Sequence, residues 1–558
     1  MSKGKKPVLE VATPPQMRLF DGEESDDGHL KTGKQERKFR NPNPRDIYLG
    51  GRRLDEYLEE VGQEDPFLIR GLMHSLDLSA FEANYAPTGR APYAPAAMLG
   101  LILWGLLKGS SSLRELERLA RTDLACMWIC GGIAPEFSVI GKFIRRHHDL
   151  LENGEFFTQV TAKILKCCDS EATTLAGDGS VMQAAVSSYK KLDEEAAQKR
   201  AEEITEKAAD EPDNEELQRT SEQAEKTAQK VKERAQRRRT KGKDPSKAVI
   251  APGEPDAYVQ RLKKGGTAPS YKPSILANKD RIIVGHAVDP SSEKKVVEKM
   301  VEQAEEVRGG AIKQLMLDGN YFAASVLSMA VKKNIDVLVP DGKFEEKAGD
   351  EVAMYGGQFH KSEFAYEPVS DTVKCPAGHQ LVPKTRGKPS GTQPAYVQYG
   401  GGPCGNCELR SKCTSAKNGR TIKRYVNDEL KDAQRQVMSH PKARQQYRHR
   451  QAWVEPVFSE LRGIQGLNRF RRKGLEKVKA EFSLHAVAHN IRRMVKILES
   501  RAKGLEKTLR RTLYWLQTTL IYLWVSEPSE SPAEVRLAPI TSRRINQKVA
   551  ATYIVPEN

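Results

Sequence analysis

A chain of 558 residues and 62.4 kDa has room for three or four domains of about 150 residues each and for a sizeable buried core. Ninety Lys and Arg against 74 Asp and Glu leave a formal charge of +16 and a pI near 9.3, which points to a polyanionic partner such as nucleic acid. The mean hydropathy is −0.60, and the longest apolar stretches, Met98–Leu107 and Leu516–Val525, fall well short of the ~20 residues that a membrane span needs, so no membrane span is expected. The first residues, MSKGKKPVLEVATPPQ, lack the apolar run of a secretory signal, and the expected location is the cytoplasm.

Residues 1–46 are polar, charged and rich in proline, and read as a disordered arm, with structure expected from about Ile47. From 47 to 168 the pattern is helical. Leu54, Tyr57, Leu58 and Val61 share one face, and Ala96–Leu107 is apolar enough for a buried helix. Ser112 with Glu115 predicts a capping box for the helix Leu113–Arg121. Ser138 is expected to cap a helix over Val139–His148, with Val139, Ile140 and Phe143 inside and Arg145, Arg146, His147 and His148 leading outward. This resembles a helix-turn-helix and makes Arg145 and Arg146 candidates for DNA contact; an ordinary helical bundle with a basic end is the competing reading.

Beyond Ser170 strands alternate with helices. Strands are predicted at Ala172–Ala176, Arg281–Val288, Gln314–Leu317 and Ile335–Val339. One helix carries Val297, Met300, Val301, Ala304 and Val307 on a single face, and another spans Ala323–Lys333, so residues 169–189 and 244–340 predict a three-layer α/β core. Two segments interrupt it. Residues 190–243 are nearly all Glu, Lys, Arg, Ala and Gln with a break at Asp210–Asn214, which suggests a solvated helical hairpin without a dimerising seam. Residues 341–440 are rich in Gly, Lys and Cys, and an insertion that long needs its own staple. Residues 441–500 read as helices that rejoin the core, and 501–558 form a tail without a recognisable motif.

The staple is legible in C-P-A-G-H at Cys375–His379 and in C-x2-C-x5-C at Cys404, Cys407 and Cys413. Four such cysteines in a non-secreted chain fit a closed tetrahedral Zn²⁺ site, with His379 able to replace Cys375. Cys126, Cys130, Cys167 and Cys168 sit among apolar residues and read as core. Asp178 and Asp318 each follow a short apolar run and precede glycine, which places two carboxylates at strand ends where open α/β sheets build their sites. Hard oxygen ligands there suit Mg²⁺. The third acid is Glu455 in YRHRQAWVEPVFSELR: Val454, Val457, Phe458 and Leu461 make one helical face, and Pro456 places Glu455 near the helix start. Tyr447, Arg448, Arg450 and Arg462 flank it, and Arg469, Arg471, Arg472 and Lys473 follow. An acid within so basic a stretch is explained by a cation-binding carboxylate among phosphate-binding side chains.

Together these segments resemble the DDE transposases of bacterial insertion sequences, most closely group eleven-eighty-two. The resemblance runs from about Leu54 to Leu498. It rests on G-R-A-P-Y-A-P and G-x-x-S-L-R-E-L-E in the helical domain, A-G-D-G-S at Asp178, L-D-G-N-Y-F at Asp318, the cysteine motifs, and Y-R-x-R-x4-E-P-V-F-S-E-L-R at Glu455. It departs at Arg462, where the family usually has Lys, and in the longer charged insert. The resemblance implies a ribonuclease H-like catalytic core with an N-terminal all-helical domain and the two inserts. It further implies Asp178, Asp318 and Glu455 as a triad holding two Mg²⁺ or Mn²⁺ ions, and transposon terminal inverted repeats and target DNA as substrates. A homodimer or higher oligomer on DNA and a cytoplasmic, nucleoid-associated location complete the expectation. A non-catalytic DNA-binding regulator and a stand-alone ribonuclease H-like nuclease are the alternative functions.

Overall fold

The computed structural model describes residues 38–525 apart from 87, 153, 263–264, 342–353, 356–357 and 390–393, with only the backbone given for 505–525. Residues 1–37, most of the expected arm, and 526–558, the end of the expected tail, lie outside the described residues. The chain divides into two compact units, 1–498 and 499–558.

Ordered structure starts earlier than expected, because Arg40 bridges to Tyr93 and Asn43 caps a 3-10 turn at Pro44–Asp46. A short hairpin, β1 (Tyr48–Leu49) and β2 (Arg52–Arg53), leads into α1 (Leu54–Glu60), α2 (Asp65–His74) and α3 (Ser79–Ala83). The bundle continues with α4 (Pro95–Leu107), α5 (Leu113–Thr122), α6 (Leu124–Cys130), α7 (Phe137–Arg146), α8 (His148–Glu152) and α9 (Glu155–Cys167). The apolar run of α4 is buried from Ala97 to Leu106 and forms the centre of the bundle. Ser112 precedes α5, but its hydroxyl makes no cap bond, and Glu115 is taken by the Arg118 guanidinium, so the expected capping box is absent. Helix α7 begins before Ser138, with Glu136 at its N-cap. His147, expected to lead outward, is buried: its ring meets Asn84 Nδ2 at 3.1 Å and the Tyr85 hydroxyl at 3.2 Å, and burial pushes its pKa down to about 4.

The central sheet opens with β3 (Thr174–Gly179) and β4 (Met182–Gln183). The charged insert follows as α10 (Glu194–Asp210) and α11 (Glu215–Arg239), then β5 (Tyr258–Arg261), β6 (Thr267–Ala277), β7 (Ile283–Asp289), α12 (Val297–Arg308), β8 (Gln314–Leu317), α13 (Ala324–Lys333) and β9 (Asp336–Leu338). Strand β6 pairs antiparallel with β3 and β7, β8 lies parallel to β3, and β9 parallel to β8, giving the order β7-β6-β3-β8-β9. Strands β4 and β5 extend the far end of β6. The sequence reading omitted β6 because Pro269 and Pro273 interrupt it. Their carbonyls still accept, from Ala184 N and Ser180 N, although the prolines have no N–H to donate.

The hairpin insert holds together through small side chains. Asp193 and Asn214 cap its helices, and Ala197, Ala201, Ala224, Ala228, Val231 and Ala235 bury against Ile250 in a core separate from that of the sheet. Leu192 and Ile250 exchange backbone hydrogen bonds, so the two ends of the insert already lie side by side. Replacing residues 193–249 by a two-residue turn is therefore expected to leave one cooperative unfolding transition in calorimetry; its loss would show that the hairpin supports the core.

The second insert carries a small hairpin, β10 (Met354–Tyr355) with β11 (Gln358–Phe359), and an antiparallel meander of β12 (Ala365–Glu367), β13 (Thr372–Lys374), β14 (Gln380–Gly387), β15 (Tyr396–Gly400) and β16 (Ile422–Tyr425), with the one-turn α14 (Arg410–Cys413) before β16. Its apolar core is small: Phe359, Phe364, Val373, Leu381, Tyr399 and Ile422. Helices α15 (Asp428–Ser439), α16 (Pro441–Tyr447), α17 (His449–Gly463) and α18 (Leu475–Val525) follow. The Gln434 amide on α15 donates to the Val337 and Val339 carbonyls, which satisfies the outer edge of β9. No helix among the described residues is long and apolar enough to cross a membrane.

Candidate active site

In the parallel pair β3 and β8, Gly177 stands opposite Leu317. The next residue on each strand is an aspartate, so Asp178 and Asp318 leave neighbouring strands, about 4.8 Å apart, at the same level. Asp178 still lies within β3, where it faces Ile275 of β6, and does not follow the strand as the sequence suggested. Asp318 caps the 3-10 turn Gly319–Tyr321 by accepting from Asn320 N at 2.8 Å. Glycine at 177 is a packing requirement, since a methyl group there would meet Leu317 Cδ2 at 2.5 Å. Burial raises the Tyr447 phenol, and Asp318 and Asp178 add to the shift. Burial likewise raises the fully buried Tyr321, with Glu293, Asp178 and Asp318 contributing in that order.

Helix α17 packs along β3 and is fastened to it at two points. Arg450 donates to the Gly177 carbonyl at 3.2 Å and stands 3.8 Å from Asp178 Oδ1. Twelve residues on, Arg462 donates to Ser180 Oγ at 2.5 Å and to the Val181 carbonyl at 3.1 Å. Arg450 is 8% exposed, so it is a buried clamp on the Asp178 strand and not the surface phosphate ligand that the basic pattern suggested. Arg462 is half-buried, and desolvation lowers its guanidinium from the ordinary value.

Glu455 is exposed and sits mid-helix, because Pro456 lies inside α17 and not in its first turn. Pro456 cannot donate to the carbonyl of Ala452, one turn back; Arg281 Nε fills that place at 3.1 Å, so the interior proline leaves no orphan. Glu455 shares a stripe of the helix with Arg462, two turns and about 10 Å away, on the helix held against Asp178. The structure thus brings Asp178 and Asp318 together and places Glu455 on the helix clamped beside them. No three His, Cys, Asp or Glu side chains are grouped to hold a metal ion among the described residues. The donor chemistry of the two adjacent aspartates nevertheless fits a hard divalent cation, since two carboxylates at neighbouring strand ends repel unless positive charge lies close.

Of the other basic candidates, Arg448, Arg469, Arg471, Lys473, Arg145 and Arg146 are exposed. Arg472 is half-buried, its guanidinium lowered by desolvation, with Glu481 and Arg145 both near enough to act on it. Cys375, Cys404, Cys407, Cys413 and His379 line one cavity of about 20 Å³. Burial pushes the Cys413 thiol up, Arg420 opposes the shift, and Cys404, Cys375 and Cys407 add to it. The C-P-A-G-H turn is closed by a bond from Cys375 N to the His379 carbonyl at 2.8 Å.

Sequence reasoning missed the buried Tyr321, although the D-G-N-Y turn carried a signal for it.

Residues 374–495 match the family model described as the transposase DDE domain, and residues 56–146 match a transposase domain (DUF772). These matches indicate a transposase, an enzyme acting on DNA. The first covers the four-cysteine insert and Glu455; the second covers the helical bundle as far as Arg146. No curated protein and no solved structure matches the chain. DDE transposase domains generally use divalent metal ions, in keeping with the paired aspartates of this transposase.

Proposed function

We propose that this transposase belongs to a bacterial insertion sequence, closest to group eleven-eighty-two, and that it cleaves transposon-end DNA and joins the resulting 3′ ends to target DNA. The observation that carries the reading is the pair Asp178 and Asp318 at the ends of adjacent parallel strands, with the Glu455 helix held by Arg450 to the Asp178 strand and by Arg462 to Ser180 and Val181 just after it. The order β7-β6-β3-β8-β9, antiparallel through β3 and parallel beyond it, supports a ribonuclease H-like core.

Asp178, Asp318 and Glu455 would hold two divalent cations, Mg²⁺ or Mn²⁺, which supply charge neutralisation and Lewis acidity to phosphodiester cleavage and joining. Arg450, 3.8 Å from Asp178 Oδ1, orients that carboxylate and sets a positive charge beside it. Exposed Arg448, Arg469, Arg471, Lys473, Arg145 and Arg146 take backbone phosphates of the terminal repeat and target. In the second insert, Cys375, Cys404, Cys407 and Cys413 would hold a structural Zn²⁺. The active species is a homodimer or larger assembly on DNA in the cytoplasm, associated with the nucleoid.

The test is a joining reaction. Purified protein, a duplex ending in the inverted repeat that flanks the gene, a supercoiled target plasmid and Mg²⁺ are expected to yield covalent joining of the duplex 3′ ends to the plasmid. Nicking without joining would make the protein a nuclease, and retention of the duplex with neither would make it a regulator.

A further inference from the structure

Pro456 stands next to Glu455 inside α17, and its ring removes the amide that would otherwise bond the Ala452 carbonyl and close the turn carrying Glu455. Arg281, from the turn between β6 and β7, donates to that carbonyl instead, Nε to O 3.1 Å. It does so from an unfavourable backbone, since its φ of 63° lies in the left-handed region that suits glycine or asparagine. The turn it springs from is pinned from within and from α18. Asn278 Oδ1 accepts from Asp280 N at 3.1 Å and from Ile282 N at 3.0 Å. The buried His489 Nε2 donates to the Arg281 carbonyl at 2.8 Å, and Arg493 Nε to the Asp280 carbonyl at 2.9 Å. Asn490, also buried, exchanges two bonds with the backbone of Ile283, at 2.8 and 2.7 Å.

Glu455 is exposed, so its aim follows the backbone of α17. Arg450 and Arg462 fasten that helix on either side of Glu455, and neither reaches the turn that Pro456 leaves open. Local rules favour glycine at 281 and disfavour proline at 456, and each departure is explained by the other: the arginine is needed because the turn is open, and the proline is tolerated because the arginine closes it. We propose that Arg281 is a positioning residue for the transposase reaction, closing the Pro456 turn and so setting the direction of Glu455 from a platform fixed by His489, Asn490 and Arg493. The inference rests on the assignment of Glu455 as a catalytic acid.

The experiment follows single-turnover cleavage of transposon-end DNA by the full-length protein over a range of protein concentrations, beside calorimetry. Arg281→Gly relieves the backbone and removes the donor; it is expected to lower the rate at saturating protein about tenfold or more, with the half-saturating concentration within about twofold and the melting temperature little changed. Adding Pro456→Ala, which returns a backbone donor to the Ala452 carbonyl, is expected to recover most of that rate, whereas Pro456→Ala alone stays within about threefold of the unaltered protein. A part played only in the fold predicts a lower melting temperature with the saturated rate intact, and a phosphate contact predicts a raised half-saturating concentration with the saturated rate intact. Either result, or a lost rate that Pro456→Ala does not restore, overturns this inference while Glu455→Gln stays inactive. If Arg281→Gly is too unstable to assay, the double variant decides: a rate near that of the unaltered protein upholds the inference and a lost rate overturns it. Full activity in Glu455→Gln overturns the underlying assignment, and the inference with it.

Discussion

Asp178→Asn, Asp318→Asn and Glu455→Gln are each expected to lower cleavage and joining of transposon-end DNA by at least about 10³-fold, some 4 kcal/mol of transition-state stabilisation at 1.36 kcal/mol per decade. Each change removes a negative charge while keeping the side-chain shape, so lost activity would not reflect a lost fold. For Asp318 the amide oxygen can still accept from Asn320 N and preserve the 3-10 turn. For Asp178 the Arg450 guanidinium keeps its bond to the Gly177 carbonyl, and α17 stays fastened to β3. Affinity for the end duplex is expected to remain within about threefold, because binding resides in the exposed arginines and lysine and releases the same number of counterions. The salt dependence of binding should be unchanged for the same reason. Gel-shift and strand-transfer assays on the same preparations separate the two quantities. Full strand transfer by Glu455→Gln would remove Glu455 from the triad.

The parts of this site that the sequence discloses are those whose signal is local. Strand β8 is read to the residue because Gln314–Leu317 is a short apolar run closed by Asp-Gly, and the buried face of α12 because Val297, Met300, Val301, Ala304 and Val307 keep the helical period. Strand β6 is invisible by the same logic: its two prolines read locally as breaks, and the strand is made by pairing with β3, β4, β5 and β7, most of them distant in sequence. Pro456 misleads for a related reason. A proline inside a helix is excluded by local rules until a side chain from elsewhere, here Arg281, 171 residues upstream, takes the orphaned carbonyl. Direction is the other thing composition hides. Arg450 and Arg448 are two residues apart in one basic run, yet the first is buried against Gly177 and the second is exposed, and only packing against β3 decides which. His147 likewise follows two exposed arginines and turns inward because Asn84 and Tyr85 offer its ring both partners.

The second large effect is expected in the four-cysteine insert. Six buried apolar side chains are a meagre core for a five-stranded meander within an insertion of about a hundred residues, and small modules of this kind are commonly completed by a metal. The four cysteines come from the β13–β14 turn, the loop after β15 and the short α14, so one ion would tie together three loops at the ends of the paired strands. All four line one cavity together with His379. One zinc per chain is expected in the purified protein, and Cys404→Ser or Cys407→Ser is expected to release it. Since structural zinc supplies an apparent ~10–16 kcal/mol at neutral pH in the smallest domains, its loss should unfold the insert outright. Limited proteolysis should then cut between residues 360 and 425, and calorimetry should show a separate early transition. The central sheet should survive, because Gln434 satisfies the β9 edge from α15, beyond the meander. His379→Ala distinguishes the ligand set: retained zinc leaves four sulfurs as ligands, whereas loss of zinc with Cys375→Ser still loaded makes His379 the fourth. A metal-free protein whose insert resists protease after chelation would show that the meander is held by its apolar core alone.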